Sequence, residues 1–104
     1  MPIIEDTTFE KVNFQEQTFE SGEYDNCIFK HCDFSNVNLS NINFIECEFL
    51  DCNLSLVQLN QTAFRDVKFK NCKMLGLIFE NCNAFGLTFS FENCTLNHSS
   101  FYGK

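Results

Sequence analysis

The sequence predicts an all-β fold, a solenoid wound from a five-residue repeat. Three observations predict it. A bulky apolar side chain recurs every fifth residue from Phe9 to Phe79 without a break. Neither a helix nor a lone strand has that period. A second series, two residues earlier in each unit, is mostly small or β-branched. The third is composition: 14 Phe, 2 Tyr and no Trp in 104 residues, one ring type filling one kind of slot repeatedly.

The first series, the centres, reads Phe9, Phe14, Phe19, Tyr24, Phe29, Phe34, Leu39, Phe44, Phe49, Leu54, Leu59, Phe64, Phe69, Met74, Phe79. The second begins Thr7, Val12, Gln17, Gly22, Cys27, Cys32 and ends Cys72, Leu77. Two inward positions two residues apart describe a short extended segment, because alternate side chains of a strand share a face. The remaining three residues of each unit are mostly Asn, Asp, Glu, Ser, Lys and Gln and should meet water. Gly and Pro are scarce, four and one, so the corners need other turn residues, which Asn, Asp and Ser supply.

The stretch CDFSN-VNLSN-INFIE-CEFLD-CNLSL, residues 32–56, resembles the pentapeptide-repeat family, and the likeness runs over roughly residues 7–103. The resemblance implies a right-handed quadrilateral β-helix in which four pentapeptides make one turn, giving about five coils here. Taking every fourth unit then yields four faces. Face one carries Phe9, Phe29, Phe49 and Phe69, an all-Phe ladder at the ~4.8 Å strand spacing. Face two carries Phe14, Phe34, Leu54 and Met74, face three Phe19, Leu39, Leu59 and Phe79, and face four Tyr24, Phe44 and Phe64.

The register slips after Phe79. The motif Phe79-Glu80-Asn81-Cys82 recurs as Phe91-Glu92-Asn93-Cys94. With Phe91 as a centre, Leu96 and Phe101 follow, and Phe91 rejoins face one. Residues 82–88 then form a unit two residues longer than the rest, a bulge on face four with Gly86 as its kink. The domain reading is an N-terminal cap over 1–6, followed by the β-helix over 7–104.

All seven cysteines, 27, 32, 47, 52, 72, 82 and 94, fall at the small inward position. Repeat phase rather than convergence on a point marks them as core filler, not as a metal or redox site. Cys32, Cys52, Cys72 and Cys94 should form one column on face two. The odd total of seven cysteines and a cytosolic setting point to free thiols. His31 and His98 lie at corners on different faces. No Gly-rich phosphate loop, HExxH or GxSxG motif is present. No catalytic residue, cofactor or metal is assigned, and an interior filled with Phe argues against an enzyme.

Attention therefore moves to the outside. Leu56, Leu75 and Ile78 fall at outward positions on adjacent units of faces two and three, the best apolar patch in the sequence. Phe85 in the bulge, Tyr102 near the C terminus, and the acidic Glu46, Glu48 and Asp51 complete the candidate interaction surface. The net charge is −7. Residues 1–52 hold 11 acidic and two basic side chains, and residues 53–104 three and five. Such a balance disfavours direct nucleic-acid binding and suits a basic protein surface. With no signal peptide or membrane span, the expected location is the cytoplasm of a bacterial cell.

The best-known activity in the family belongs to Qnr-type proteins, which look like B-DNA and bind DNA gyrase or topoisomerase IV. The resemblance thus implies two readings: a non-enzymatic protein-interaction scaffold, or a DNA mimic acting on a type II topoisomerase. The C-terminal half here is net positive and carries no long projecting loops. The chain stops in mid-pattern at Phe101-Tyr102-Gly103-Lys104. Either an end-to-end homodimer through the C-terminal coil or continuation in a longer solenoid is expected.

Overall fold

A computed structural model describes residues 2–83 and 86–100. They form a right-handed four-sided β-helix of four full turns, with part of a turn at each end. Two parallel ladders run along it. One joins β1 (Ile3–Glu5), β3 (Glu23–Asp25), β5 (Asn43–Ile45) and β7 (Ala63–Arg65) on face four. The other joins β2 (Thr8–Glu10), β4 (Ile28–Lys30), β6 (Glu48–Leu50), β8 (Val67–Lys70) and β9 (Phe89–Glu92) on face one. Faces two and three are tied by isolated bridges, Asn13↔Asp33↔Asn53↔Lys73↔Thr95 and Asn38↔Gln58. A 3₁₀ turn covers Phe79–Asn81.

Paired residues are 20 apart up to β8, as in Phe29↔Phe49, and 22 apart from β8 to β9, as in Phe69↔Phe91. The carbonyl of most small residues accepts an amide from the next coil. Glu48 N donates to Cys27 O at 3.0 Å, and Thr95 N to Cys72 O at 3.0 Å.

The corners explain the scarcity of glycine. Fourteen described non-glycine residues have positive φ, and five of these are Asn and three Asp, the types that enter the left-handed region most readily. They occupy the last position of their units. Between faces two and three and between three and four, the centre's carbonyl accepts the amide three residues on. Val37 N donates to Phe34 O at 2.9 Å, and Thr62 N to Leu59 O at 3.1 Å. With Asn36 at φ 63° and Gln61 at φ 60°, these are type II turns. The Asn or Asp before a centre braces the turn: Asn53 Oδ1 accepts Ser55 N at 3.1 Å, and Asp33 Oδ1 accepts Ser35 N at 2.9 Å.

Phenyl rings fill the interior in columns. On face one, Phe9, Phe29, Phe49, Phe69 and Phe91 stack with centroids 4.7–5.3 Å apart and planes within 19°. A second column runs Tyr24, Phe44 and Phe64 on face four, at 5.6 Å. The two columns meet edge to face, as at Phe44 and Phe49, 5.3 Å and 72°.

Residues 1–6 were expected to drape over the first coil. Ile3–Glu5 instead joins the ladder as a strand paired with β3. The reason is twofold. Ile4 stands five residues before Phe9, at centre phase, and Gly22 leaves room for Pro2. Glu23 N donates to Pro2 O at 2.9 Å, and a Cβ at Gly22 would lie 2.6 Å from that oxygen. The first coil is irregular on face three, where the exposed Gln17 occupies a small slot it cannot fill as a buried residue. The ring of Phe19 there lies on Tyr24 at 4.7 Å.

Candidate functional site

The corner between faces two and three carries, in order, Glu16, Asn36, Leu56, Gly76 and His98. Leu56 is left-handed, φ 61°, and 57% exposed. A branched aliphatic side chain costs roughly 1–2 kcal/mol in that region, against little for its neighbours Asn36 and Gly76. Its side chain lies over Gly76, where an added Cβ would come within 2.8 Å of Leu56 Cδ2. Ile78, 49% exposed, stands beside it. Together they border a shallow groove of 330 Å³ shared with Gln58, Asn60 and Asn81. Leu75 is half-buried, its amide taking a hydrogen bond to Ser55 Oγ at 3.1 Å. Leu56 and Ile78 thus line one groove as an apolar ledge, and Leu75 is not among the residues that line it.

That ledge is bought with backbone strain. Leu56→Asn should raise the unfolding free energy by about 0.5–1 kcal/mol, measured in urea, because Asn tolerates this corner as Asn36 does one coil earlier. An unchanged or lowered midpoint would show that Leu56 holds the corner through packing.

The acidic residues lie elsewhere, on the side formed by faces four and one. Glu46 sits at the corner after face four, in a column with Asp6, Asn26 and Asp66. Asn26 Nδ2 donates to Asp6 Oδ1 at 2.7 Å. Glu48 is paired in register with Lys68, and Asp51 Oδ2 is 3.8 Å from His31 Nε2. Asn26, Ile28, Glu46, Glu48, Asp66 and Lys68 line a second open groove of 330 Å³. The structure therefore does not join Glu46, Glu48 and Asp51 to the Leu56 ledge. Phe85 and Tyr102 lie outside the described residues.

Six of the cysteines are buried, Cys94 is half-buried, and all seven are free thiols. Those of the face-two column donate across the coils to the carbonyl of a centre: Cys52 to Phe29 O and Cys72 to Phe49 O at 3.2 Å, Cys32 to Phe9 O at 3.4 Å, Cys94 to Phe69 O at 3.3 Å. Thr62 Oγ1 does the same to Leu39 O at 2.8 Å, and Ser99 Oγ to Met74 O at 2.9 Å. The small position thus rewards a compact donor, which Cys, Thr and Ser share and Val lacks. Among the described residues, no three His, Cys, Asp or Glu side chains converge in metal-binding geometry.

Burial pushes the Cys47 thiol up to about 12, and burial also raises Cys27 beneath it. The Cys52 thiol, stacked between Cys32 and Cys72 and buried, is raised by those two neighbours and by burial. The Cys52 neighbour acts in the opposite direction on Cys32 and Cys72, lowering both. For Cys47 the folded value lies above the unfolded one. Its contribution is complete below pH ~8.5 and is lost as pH rises toward 12. Urea unfolding of Cys47→Ala should show a fall in stability between pH 8.5 and 11 smaller than that of the unmodified chain by about 2–3 kcal/mol. Equal falls would remove Cys47 as the cause.

A family model of the pentapeptide repeat region matches residues 22–101. The chain belongs to this family. Its pentapeptide repeats share their fold with two solved structures. Full-length QnrB1, described as a plasmid-mediated fluoroquinolone resistance protein, superposes with a TM-score of 0.70 at 21% identity, over 96% of this chain and 49% of that one. A trypsin-treated variant of QnrB1 gives 0.58 at 17% identity, over 94% and 50%. This pentapeptide-repeat chain spans about half the length of the structures it matches. No curated protein sequence matches it significantly. No helix among the described residues is long and apolar enough to cross a membrane.

One residue of the repeat escaped the sequence reading. Phe89 sits at a small position, in register with Val67, yet its ring lies over Phe64 at 5.9 Å and 23° and so prolongs the face-four column. The signal was present as a Phe in a small slot directly after an overlong unit.

Proposed function

We propose that this pentapeptide-repeat protein is a non-enzymatic scaffold that binds another protein through its outer surface. The observation that carries the reading is the ledge of Leu56 and Ile78. Two large apolar side chains are held in water on a rigid ladder, one of them in a strained conformation. Strain retained at an exposed residue points to use at that residue. The ring-filled interior supports the same reading, because it leaves the outside to act. The test is a photo-crosslinking amino acid placed at Ile78 and, separately, at Glu48 on the acidic side, in living cells. A discrete protein adduct from Ile78 is expected. Monomer alone from both positions would defeat the scaffold reading.

The second reading, binding to DNA gyrase or topoisomerase IV as a DNA mimic, draws its support from the acidic N-terminal half. There 11 acidic residues face two basic ones. QnrB1 shares the fold. Gyrase supercoiling measured with and without a fluoroquinolone, over rising protein, tests it. Protection from the drug is expected under this reading, and no effect at micromolar protein would end it.

A further inference from the structure

Charge on this molecule is sorted by face. Residues 34–45, 52–64, 74–79 and 93–100 contain no Asp, Glu, Lys or Arg. Wound four units to a turn, these windows stack on faces two and three. Over residues 32–100 the charged side chains on that side are Asp33, Lys73 and Glu80. Asp33 is occupied in its own turn, accepting from Ser35 N and from Ser35 Oγ at 2.7 Å. The other acids and bases of this span lie on faces four and one. Beyond the first coil, where Glu16 and Glu20 stand on faces two and three, one side of the solenoid is thus charged, and the other is a strip dominated by Asn, Gln and Ser with the Leu56–Ile78 ledge on it.

From this we infer that the neutral strip is a self-association surface, on which a second copy of this chain docks antiparallel with Leu56 of each copy against Ile78 of the other. The inference rests on the scaffold reading and names its partner. Two chains of charge −7 repel each other wherever their charged sides meet. Beyond the first coil the strip is the side on which they approach with the fewest like charges together, and it offers apolar area to bury. The distribution along the axis sets the orientation. A two-fold axis through the ledge, perpendicular to the solenoid, lays the acidic half of one copy beside the net positive half of the other. A parallel pair would set the acidic halves together. Overlap of one face, at most about 31 by 22 Å, covers roughly 700 Å² per copy, near the ~800 Å² of a standard interface. The association is accordingly reversible and dependent on concentration.

Isologous pairing makes a specific demand: residue 56 meets residue 78, and the reverse. Sedimentation velocity should be run on the full chain, on Leu56→Glu, on Ile78→Lys, and on an equimolar mixture of the two variants, from 5 to roughly 300 µM, a range chosen around the micromolar affinities of small interfaces. Both substitutions suit their sites, since Glu46 holds the last position of its unit at φ 51° on another corner, as Leu56 does on its own, and Lys68 and Lys73 occupy the position before a centre. Unchanged circular dichroism confirms folding. The expected results are a monomer–dimer equilibrium for the full chain, at least tenfold weaker association for each variant, and a restored heterodimer in the mixture, where Glu meets Lys. A monomer at every concentration would overturn the inference. So would a dimer indifferent to both substitutions, the signature of end-to-end contact, or a mixture that stays monomeric. An Ile78 crosslink to a different protein alone would defeat the second copy and leave the scaffold reading standing.

Discussion

Phe49→Ala should lower the unfolding free energy by about 3–5 kcal/mol, a large share of the ~5–15 kcal/mol that holds a small domain folded. Phe49 is fully buried. It stacks on Phe29 at 4.7 Å and on Phe69 at 5.1 Å, and it meets Phe34 and Phe44 edge to face at 5.7 and 5.3 Å. Removing the ring breaks the face-one column at its midpoint and leaves a cavity that parallel strands on both sides hold open. The backbone cannot collapse into it without shortening a ladder whose register is set every five residues. Phe9→Ala provides the contrast. Phe9 belongs to the same column but is half-buried in the first coil, with a stacked neighbour on one side. About half the cost is expected there. Urea unfolding of the two variants checks the pair. Equal losses would mean that the column does not act as a continuous stack.

Phe89→Val is the second large effect. Judged by phase alone the change should be benign, since position 89 pairs with Val67 and the small series prefers such residues. The structure says otherwise. The Phe89 ring lies 5.9, 5.3 and 5.1 Å from Phe64, Phe79 and Phe91, centroid to centroid, and is the last rung of the face-four column among the described residues. Valine would remove the ring stacked on Phe64 and the edge contact it makes with Phe79, leaving Phe79 its edge contact with Phe91. A loss of about 2–3 kcal/mol is expected, less than for Phe49 because Phe89 is half-buried. A neutral result would mean that the ring is dispensable and that the chain after the overlong unit packs by register alone.

These two residues show how far the sequence could be read. Phe49 announces itself, because a centre every five residues needs no tertiary knowledge to find, and folding the list in fours already sets it between Phe29 and Phe69. Phe89 does not, because its phase marks it as a small position and only the three-dimensional path of the chain into β9 lays its ring on Phe64. Residues 3–5 were missed for a related reason. Ile4 continues the centre series, but Pro2 in the small position breaks the pattern, and only the bare backbone of Gly22 lets that strand pair. Gln17 was carried as an ordinary unit although a buried amide side chain has no partner in such a slot.

The candidate surface was legible in part. Leu56 and Ile78 were found from phase. The strain at Leu56 was not, since the corner conformation is a property of the turn. Charge was read as two halves along the chain, which averages over the 20-residue turn and hides its sorting by face. The acids at Glu46, Glu48 and Asp51 then come out on the opposite side from the ledge, beside Asp66, Lys68 and His31.

The central claim is the winding itself, four units to a turn with a two-residue step before the last coil. Scalar couplings across hydrogen bonds, measured by NMR on labelled protein, read it directly. The account predicts coupling from Glu48 N to the Cys27 carbonyl and from Lys73 N to the Cys52 carbonyl, 21 residues back, and from Thr95 N to the Cys72 carbonyl, 23 residues back. Couplings only to near neighbours in sequence, or one constant offset through Thr95, would contradict it.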